Sequence, residues 1–297
     1  MRIAATTKLR GPAWDELPDV ELLDAWPPAA PLPGVEVLVA VVARIAAAEL
    51  DLLPDVRLVA NYGVGYDLID VAACRARGVA VTNTPGVLDA AVADLTLGLI
   101  LACRRNLVAA DRFVRDGRWQ RGWARPEIVG RDIAGATLGL VGFGRIAAQV
   151  ARRAEAFEME VVFHRRSDGG LALDELLGTS DVVSLHVPLT DETRGLISRE
   201  RLALLQDGAT LVNTARGAVV DEDALVDELV SGRISAGLDV FVDEPRVPER
   251  LLDLPNVVLT PHVASATHET RAAMTRVLVD NVLAFVRGEP LPNPVPD

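Results

Sequence analysis

Short apolar runs alternate with helical stretches over the first third of the chain. Five of the runs are predicted to be strands, and most of these are near-continuously apolar, which is typical of parallel strands covered on both faces by helices. These runs are MRIAAT, VELLDA, VEVLVAV, VRLVANY and VAVTNT. Joints rich in proline and glycine, such as Pro27–Pro33, separate them and indicate loops. The pattern predicts a first parallel sheet.

A second alternating series follows a long apolar helix that the pattern predicts between Leu88 and Asn106. Its six strands are ATLGLVGF, EVVFH, DVVSLHV, ATLVNT, AGLDVF and NVVLTPH. A helix is predicted over Arg145–Met159, and an amphipathic helix over His268–Arg287 ends the series. Because 297 residues exceed one average domain, we expect two α/β domains, each with a doubly wound parallel sheet.

Composition narrows the setting and the partners. The net charge of −12 would repel nucleic-acid phosphates, so no nucleic-acid partner is expected. The longest apolar stretch, Leu95–Cys103, is far shorter than the roughly 20 residues that span a bilayer, and MRIAATTKL is typical of a first strand rather than a signal peptide. Cys74 and Cys103 are too few for a disulfide framework, and neither has metal-ligand spacing, which favours a cytoplasmic protein without a metal.

A glycine-rich turn lies between the first strand and the first helix of the second series. Gly142-Phe-Gly144-Arg-Ile-Ala147 matches G-x-G-x-x-G/A in the strand–helix context that the motif requires. Gly142 allows a tight turn, Gly144 lets the backbone approach a pyrophosphate, and the helix that starts at Arg145 and Ile146 offers N–H groups to the phosphates. A turn that serves packing alone is the alternative. The motif predicts a dinucleotide cofactor.

The next strand, EVVFH, indicates which dinucleotide is bound. NAD-binding proteins place an Asp or Glu near this point for the ribose 2′-hydroxyl, but here the strand leads into Arg165, Arg166 and Ser167. Two guanidinium groups and a hydroxyl would pair with a 2′-phosphate, which favours NADP and leaves NAD possible. Nearly every cation in the chain is arginine, so a solvated pair of charges is the alternative interpretation.

Three polar residues follow strands of the second series, where parallel sheets form their sites. They are Arg216 in NTARG, Glu244 in DVFVDEP and His262 in TPHVAS. Together they supply what the reduction of a 2-oxo acid needs: a cation for the carboxylate and carbonyl, a proton donor, and a carboxylate that stabilises the imidazolium. We therefore expect hydride transfer between a nicotinamide cofactor and a small 2-oxo or 2-hydroxy acid.

Ordered motifs along nearly the whole chain resemble the D-2-hydroxyacid dehydrogenase family. They are ANYGVGYDLIDV, VTNTPGVLDAAVADLTLGLIL, TLGLVGFGRIA, SLHVPLTDETRGLI, LVNTARGAVVDEDAL, GLDVFVDEP and TPHVASATHETRAAM. The resemblance implies a catalytic set of Arg216, Glu244 and His262. It also implies that the N–H groups of Val64 and Gly65 bind the substrate carboxylate. Further implied cofactor contacts are Pro188, Thr214 and, at the nicotinamide end, Asp239.

The same resemblance implies the domain arrangement. It predicts a flavodoxin-like, discontinuous substrate-binding domain over residues 1–98 and 268–297, a Rossmann dinucleotide-binding domain over 99–267, and a homodimer. The NYGVGYDLIDV and HRRS stretches are similar to those of glyoxylate/hydroxypyruvate reductases that prefer NADPH. The chain departs from the commonest family pattern at Ala147, usually Gly, and at Asp89, often Thr. Asp89 leaves the substrate preference more open.

Two other functions stay open at this point. The same fold could act on a longer 2-oxo acid or on phosphite. A non-enzymatic, dinucleotide-sensing binding protein is the third hypothesis, because the fold also serves in transcriptional corepressors. Retention of Arg216, Glu244 and His262 argues against a pure sensor.

Overall fold

The computed structural model describes residues 1–120, 128–167 and 169–296. The chain divides into two compact units, Met1–Leu88 with Ser265–Asp297, and Asp89–Ala264. The first change of unit therefore falls before helix α3 (Asp89–Arg104), not within it at residue 98 as predicted. The helix is continuous and packs on strands and helices of the second unit, so all of it belongs to that unit. The second change falls at Ser265 rather than at residue 268.

The first unit contains a parallel sheet of five strands, as the apolar pattern predicts. The strands are β1 (Arg2–Ala5), β2 (Val20–Leu22), β3 (Val35–Ala40), β4 (Leu58–Asn61) and β5 (Ala80–Thr82). Their order is β2-β1-β3-β4-β5, the flavodoxin-like order. Ala60 of β4 pairs with Thr82 of β5, so these two neighbouring strands end side by side.

Helices close the first unit's core. They are α1 (Ala47–Asp51), α2 (Val71–Ala76) and α9 (His268–Arg287), together with a 3-10 turn at Pro12–Glu16. Helix α9 has the bounds that its amphipathic pattern predicts. The Thr267 side chain caps its start by accepting the Thr270 N–H, and Gly288 ends it in the left-handed conformation with φ of 69°. Its buried side chains include Met274, Leu278 and Val282.

The second unit contains a parallel sheet of six strands. They are β6 (Thr137–Val141), β7 (Glu160–His164), β8 (Val182–Leu185), β9 (Thr210–Asn213), β10 (Ser235–Leu238) and β11 (Val257–Leu259). Their order is β11-β10-β9-β8-β6-β7, so the chain reverses its direction of winding between β6 and β8. Ligands of doubly wound sheets bind beyond the strand ends at such a switch point. Both sheets confirm the predicted doubly wound α/β class.

Helices cover both faces of the second sheet. The unit's helices are α3, α4 (Leu107–Arg115), α5 (Arg145–Ala156), α6 (Leu173–Thr179), α7 (Arg199–Leu202) and α8 (Glu222–Val230). Alternate strand residues point to opposite faces. Accordingly, Val182 is buried in a cluster with α3 and α5, whereas Val183 is buried in a cluster with α6 and α8. Within the described ranges no helix is long and apolar enough to cross a membrane.

Candidate active site

The predicted dinucleotide turn joins the ends of three neighbouring strands. Gly142 directly follows β6 and has a φ of 89°, a left-handed conformation that favours glycine. Its N–H donates to the carbonyl oxygen of His164 at the end of β7, at 2.8 Å. A Cβ atom at Gly142 would lie 2.9 Å from the carbonyl oxygen of His186, which follows β8. The turn therefore lies at the switch point of the sheet and has no room for a side chain at Gly142.

The start of α5 fits the pyrophosphate of a dinucleotide. Gly144 is the N-cap, no side chain caps this helix in the described part of the chain, and the first turn carries no acidic residue. No atom lies within 4 Å of the position that a Cβ at Gly144 would occupy. The N–H groups of Arg145 and Ile146 belong to the first turn of this helix, where the helix dipole is positive, and the N-cap residue has open space beside it. Ala147 is fully buried, which explains why only a small residue fits there.

Asp89 contacts this same turn. The first residue of α3 places its carboxylate 3.3 Å from Nε of Arg145, and the Asp89 side chain is only 11% exposed. Its second oxygen, Oδ1, is buried and has no hydrogen-bond partner among the described residues. The negative charge of Asp89 therefore acts on Arg145, beside the N–H groups at the start of α5.

The end of β7 leads into an exposed cationic segment. Arg165, Arg166 and Ser167 are all exposed, and Arg166 forms an ion pair with Glu192. The strand end itself is held in place, because Nδ1 of His164 lies 2.9 Å from the carbonyl oxygen of Leu171. The predicted 2′-phosphate contacts are thus accessible, and a carboxylate neutralises one of them.

Two other predicted cofactor contacts follow strands β8 and β9. Pro188 is exposed, and its carbonyl oxygen accepts a hydrogen bond from Oγ1 of Thr193 at 2.6 Å. Thr214 is half-buried, and its hydroxyl lies 3.1 Å from the hydroxyl of Thr96 in α3. Both residues therefore lie at the carboxyl end of the sheet.

Asp239, the predicted nicotinamide contact, is fully buried. Its carboxylate accepts hydrogen bonds from Oγ1 of Thr260 at 2.6 Å and from the N–H groups of Val263 and Ala264, both at 2.9 Å. These three donors surround His262, whose own N–H donates to the Asp239 carbonyl oxygen at 2.8 Å. His262 has a φ of 52°, which is uncommon for a non-glycine residue. The Asp239 carboxylate therefore holds the turn that presents His262.

We expect Asp239→Asn to destabilise the protein and to lower kcat. The amide would place an N–H donor against the Ala264 N–H, and such an unsatisfied buried donor costs about 1–3 kcal/mol. Thermal unfolding and steady-state kinetics measure the two effects. Asp221→Asn is the matched control, because Asp221 caps α8 by accepting one N–H, and asparagine caps helices equally well. An unchanged kcat in Asp239→Asn would contradict the role of the Asp239 carboxylate in holding the turn that presents His262.

His262 and Glu244 form a hydrogen-bonded pair. Nδ1 of His262 lies 2.7 Å from Oε2 of Glu244, and the other carboxylate oxygen accepts the Phe241 N–H at 3.1 Å. Burial alone would raise the pKa of Glu244, but the hydrogen bonds from His262 and Phe241 and the charge of Arg216 lower it overall. An ionised Glu244 accepts a hydrogen bond from the Nδ1–H group, so Nε2 is the nitrogen that can exchange a proton with a substrate.

Arg216 lies near this pair, since the residue after it, Gly217, packs against the backbone of Phe241, whose N–H bonds to Glu244. Its carbonyl oxygen accepts from Nδ2 of Asn213 at 2.9 Å, and its Nη1 donates to the Ala215 carbonyl oxygen at 2.7 Å. Gly217 lets the loop after β9 pack against the backbone of Phe241, since a Cβ atom at Gly217 would lie only 2.1 Å from the carbonyl carbon of Phe241. The structure thus brings the predicted Arg216, Glu244 and His262 together at the carboxyl end of one sheet.

The remaining predicted site residues and histidines lie elsewhere. Val64 and Gly65 belong to the first unit, in the loop after β4, where Val64 is half-buried and Gly65 exposed. His186 faces the hydroxyl of Ser184 at 2.9 Å, and desolvation of its ring lowers its pKa to about 4. A neutral imidazole of that kind is a poor proton donor at pH 7. His268 begins α9 in the first unit and is exposed.

A dinucleotide turn and a histidine–carboxylate pair at the ends of one parallel sheet define an NAD(P)-dependent oxidoreductase that acts on a CH–OH group. Comparison with known proteins gives the same class. The family model described as "D-isomer specific 2-hydroxyacid dehydrogenase, NAD binding domain" matches residues 97–264. The chain belongs to the D-isomer specific 2-hydroxyacid dehydrogenase family.

Similar proteins are known from archaea and bacteria. The chain is 49% identical over 261 residues to a glyoxylate reductase of Korarchaeum cryptofilum, which covers 84% of this chain and 79% of the relative. It is 48% identical over 250 residues to a glyoxylate reductase of Pyrococcus furiosus, with coverage of 80% and 74%. The crystal structure of an NADPH-dependent glyoxylate/hydroxypyruvate reductase from Sinorhizobium meliloti, in complex with NADP and malonate, has a TM-score of 0.91 at 38% identity, with coverage of 99% and 96%.

Proposed function

We propose that this protein reduces glyoxylate, hydroxypyruvate or a similarly small 2-oxo acid to the corresponding D-2-hydroxy acid. The observation that carries the proposal is the 2.7 Å contact between His262 and Glu244, near Arg216 and on the same sheet as the dinucleotide turn. The names of the relatives support the substrate class, because two of them are glyoxylate reductases.

Each residue of the set has a defined task in this proposal. When bound, the dinucleotide supplies the hydride that adds to the carbonyl carbon. Arg216 pairs with the substrate carboxylate and polarises the carbonyl. Nε2 of His262 donates the proton to the carbonyl oxygen, and Glu244 fixes the ring and stabilises its charged form. In the reverse direction His262 accepts the proton of the hydroxyl.

The two units divide the binding in this proposal. The second unit holds the cofactor through Gly142, Gly144 and the start of α5. Pro188, Thr214 and Asp239 are proposed to contact it further along the sheet. The first unit binds the substrate carboxylate through the N–H groups of Val64 and Gly65.

We further propose that NADPH is preferred to NADH. Arg165, Arg166 and Ser167 are exposed at the end of β7, where the family places the adenosine ribose. Guanidinium groups pair with a phosphate dianion through charge-assisted hydrogen bonds. The Sinorhizobium meliloti reductase, described as NADPH-dependent, supports this preference.

Replacing both Arg165 and Arg166 by serine is expected to weaken NADPH binding about 10²–10⁴-fold, since charge-assisted hydrogen bonds contribute about 1.5–3 kcal/mol each and two groups are removed. NADH binding should change less than twofold. Glu192→Gln is the informative counterpart, because it removes the carboxylate that pairs with Arg166 and should tighten NADPH binding. Dissociation constants from quenching of protein fluorescence measure both effects. Equal losses for NADPH and NADH would contradict the 2′-phosphate assignment.

A substrate panel tests the reaction. We expect NADPH oxidation with glyoxylate and hydroxypyruvate to exceed that with a longer acid such as 2-oxoisocaproate. Reduction of NADP by phosphite serves as a separate assay. A higher kcat/KM with the longer acid or with phosphite would replace the substrate class. Dinucleotide binding without turnover on any substrate would favour the sensor.

We propose a homodimer in the cytoplasm. Helix α4 exposes Leu107 and Val114 by more than half, and Trp119 beyond it is 62% exposed. A second copy of the chain would cover this apolar surface. A solution mass of one chain, measured by light scattering, would exclude the dimer.

The proposed location in the cytoplasm rests on the two cysteines. Cys74 and Cys103 are buried, unpaired thiols, as is common in a reducing compartment.

A further inference from the structure

The loop after β4 in the first unit is held from one side by its carbonyl oxygens. The amide nitrogen of Asn61 contacts two of them, the Gly63 oxygen at 3.2 Å and the Gly65 oxygen at 3.0 Å. Asn61 is buried, with 9% of its surface exposed. A buried amide with two carbonyl partners has little freedom to rotate, so it holds both peptide groups in one orientation.

A second asparagine holds the carbonyl oxygen between these two. The amide nitrogen of Asn83 donates to the Val64 oxygen at 2.9 Å. The backbone N–H of Thr84 adds a further bond to the Gly63 oxygen at 3.0 Å. Three consecutive carbonyl oxygens, those of residues 63, 64 and 65, are therefore occupied by donors from the ends of β4 and β5.

The register of the sheet explains why the two asparagines cooperate. Ala60 and Thr82 are partners in the parallel pair of β4 and β5, so Asn61 and Asn83, one residue further on, end neighbouring strands side by side. Both amides consequently reach the same loop. The pairing depends on the sheet and not on the local sequence.

The occupied carbonyl groups determine where the N–H groups point. In a trans peptide the C=O and the N–H of the next residue point in opposite directions, and none of these peptide bonds is cis. The N–H groups of Val64, Gly65 and Tyr66 therefore point away from the asparagines. Successive N–H groups on one side of a turn form a concave site for an anion.

We propose that Asn61 and Asn83 are positioning residues for the substrate carboxylate. They do not contact the substrate; they orient the peptide groups whose N–H groups bind it. This inference rests on the proposed function, in which Val64 and Gly65 bind the carboxylate.

The test exchanges each amide for a carboxylate of the same shape. In Asn61→Asp and Asn83→Asp an oxygen replaces the nitrogen that faces the loop carbonyl groups, and the repulsion turns the peptides away. Asn256→Asp is the matched control, because Nδ2 of Asn256 also bonds to two carbonyl oxygens, those of Leu229 at 2.9 Å and Ile234 at 2.8 Å, but in the second unit. Asn61→Ser removes the amide without adding a charge and serves if Asn61→Asp does not fold.

Calorimetric titration of the NADPH complex with oxalate, a non-reducible mimic of glyoxylate, measures the carboxylate site directly. We expect oxalate affinity to fall about tenfold or more in the Asn61 and Asn83 variants, since each hydrogen bond to a charged group contributes enough for a change of that size. NADPH affinity should stay within twofold of the unmodified protein. Asn256→Asp should lower the Tm without weakening oxalate. If the unmodified protein reduces glyoxylate, the KM for glyoxylate should rise in the Asn61 and Asn83 variants by a factor similar to their loss of oxalate affinity.

The two proposals fail separately in this experiment. An unmodified protein that reduces no 2-oxo acid disproves the proposed function, whatever the variants do. Unchanged oxalate affinity in both asparagine variants overturns the positioning role. The positioning role is also overturned if Asn256→Asp weakens oxalate binding as much as the Asn61 and Asn83 variants do, or if the unmodified protein does not bind oxalate.

Discussion

Replacing His262 with alanine is expected to lower kcat by about 10²–10⁴-fold, the usual contribution of a positioned general acid. The proton for the carbonyl oxygen would then have to come from water, which is a weaker acid than an imidazolium and is not held in position. NADPH binding should survive, because the dinucleotide turn lies between β6 and α5 and its hydrogen bonds do not involve His262. Stopped-flow measurement of NADPH oxidation and a fluorescence titration separate the two effects.

His268→Ala is the matched control for this variant. His268 is an exposed histidine at the start of α9, in the other unit of the chain, and its replacement should leave kcat unchanged. A kcat in His262→Ala within a factor of about three of the unmodified protein would remove His262 from proton transfer, since that factor is far below a general-acid contribution.

Replacing Arg216 with alanine is expected to cause a second large loss of activity, in kcat/KM. Truncating one partner of a charge pair in a site costs about 2–5 kcal/mol, so kcat/KM should fall about 30-fold to 5,000-fold. Both KM and kcat should change, because Arg216 is assigned to the carboxylate and to the carbonyl. Arg216→Lys should recover only part of the loss, since an ammonium group lacks the planar, bidentate geometry of a guanidinium group.

Arg199→Ala provides the comparison for the loss of a cation. Arg199 forms an exposed ion pair with Asp227, 2.9 Å away, and such pairs contribute little to stability. Its kinetic constants should match those of the unmodified protein. An Arg216→Ala variant with a normal KM would show that the substrate carboxylate is held elsewhere.

Much of the fold follows from local pattern. The apolar runs predict all the strands of both sheets, and the helical spacing from His268 to Arg287 predicts the bounds of α9. The reason is physical: strands of a doubly wound sheet are apolar on both faces, and an amphipathic helix repeats with its own period. The first unit boundary is different. Small and apolar residues are found on both sides of Leu88 and continue along α3, so the sequence shows no change in pattern where one unit ends and the other begins.

The candidate site divides in the same way. The glycine turn could be predicted because its residues are adjacent in sequence and each has a local steric reason. The support of His262 by Asp239 and Thr260 could not, because Asp239 is 21 residues from Thr260 and buried polar partners leave no periodic pattern. The pairing of Arg166 with Glu192 spans 26 residues, and the pair formed by Asn61 and Asn83 depends on strand register. The sequence shows only that an asparagine lies at or just after the end of each of two predicted strands. It does not show that these strands are neighbours in the sheet.

Reduction of hydroxypyruvate by the unmodified protein with NADPH, followed by chiral analysis of the product, tests the proposed activity and its stereochemistry together. The arrangement of Arg216, Glu244 and His262 in a D-isomer specific family predicts D-glycerate, formed in a one-to-one ratio with the NADPH oxidised. No NADPH oxidation, or a product that is L-glycerate or racemic, would contradict it.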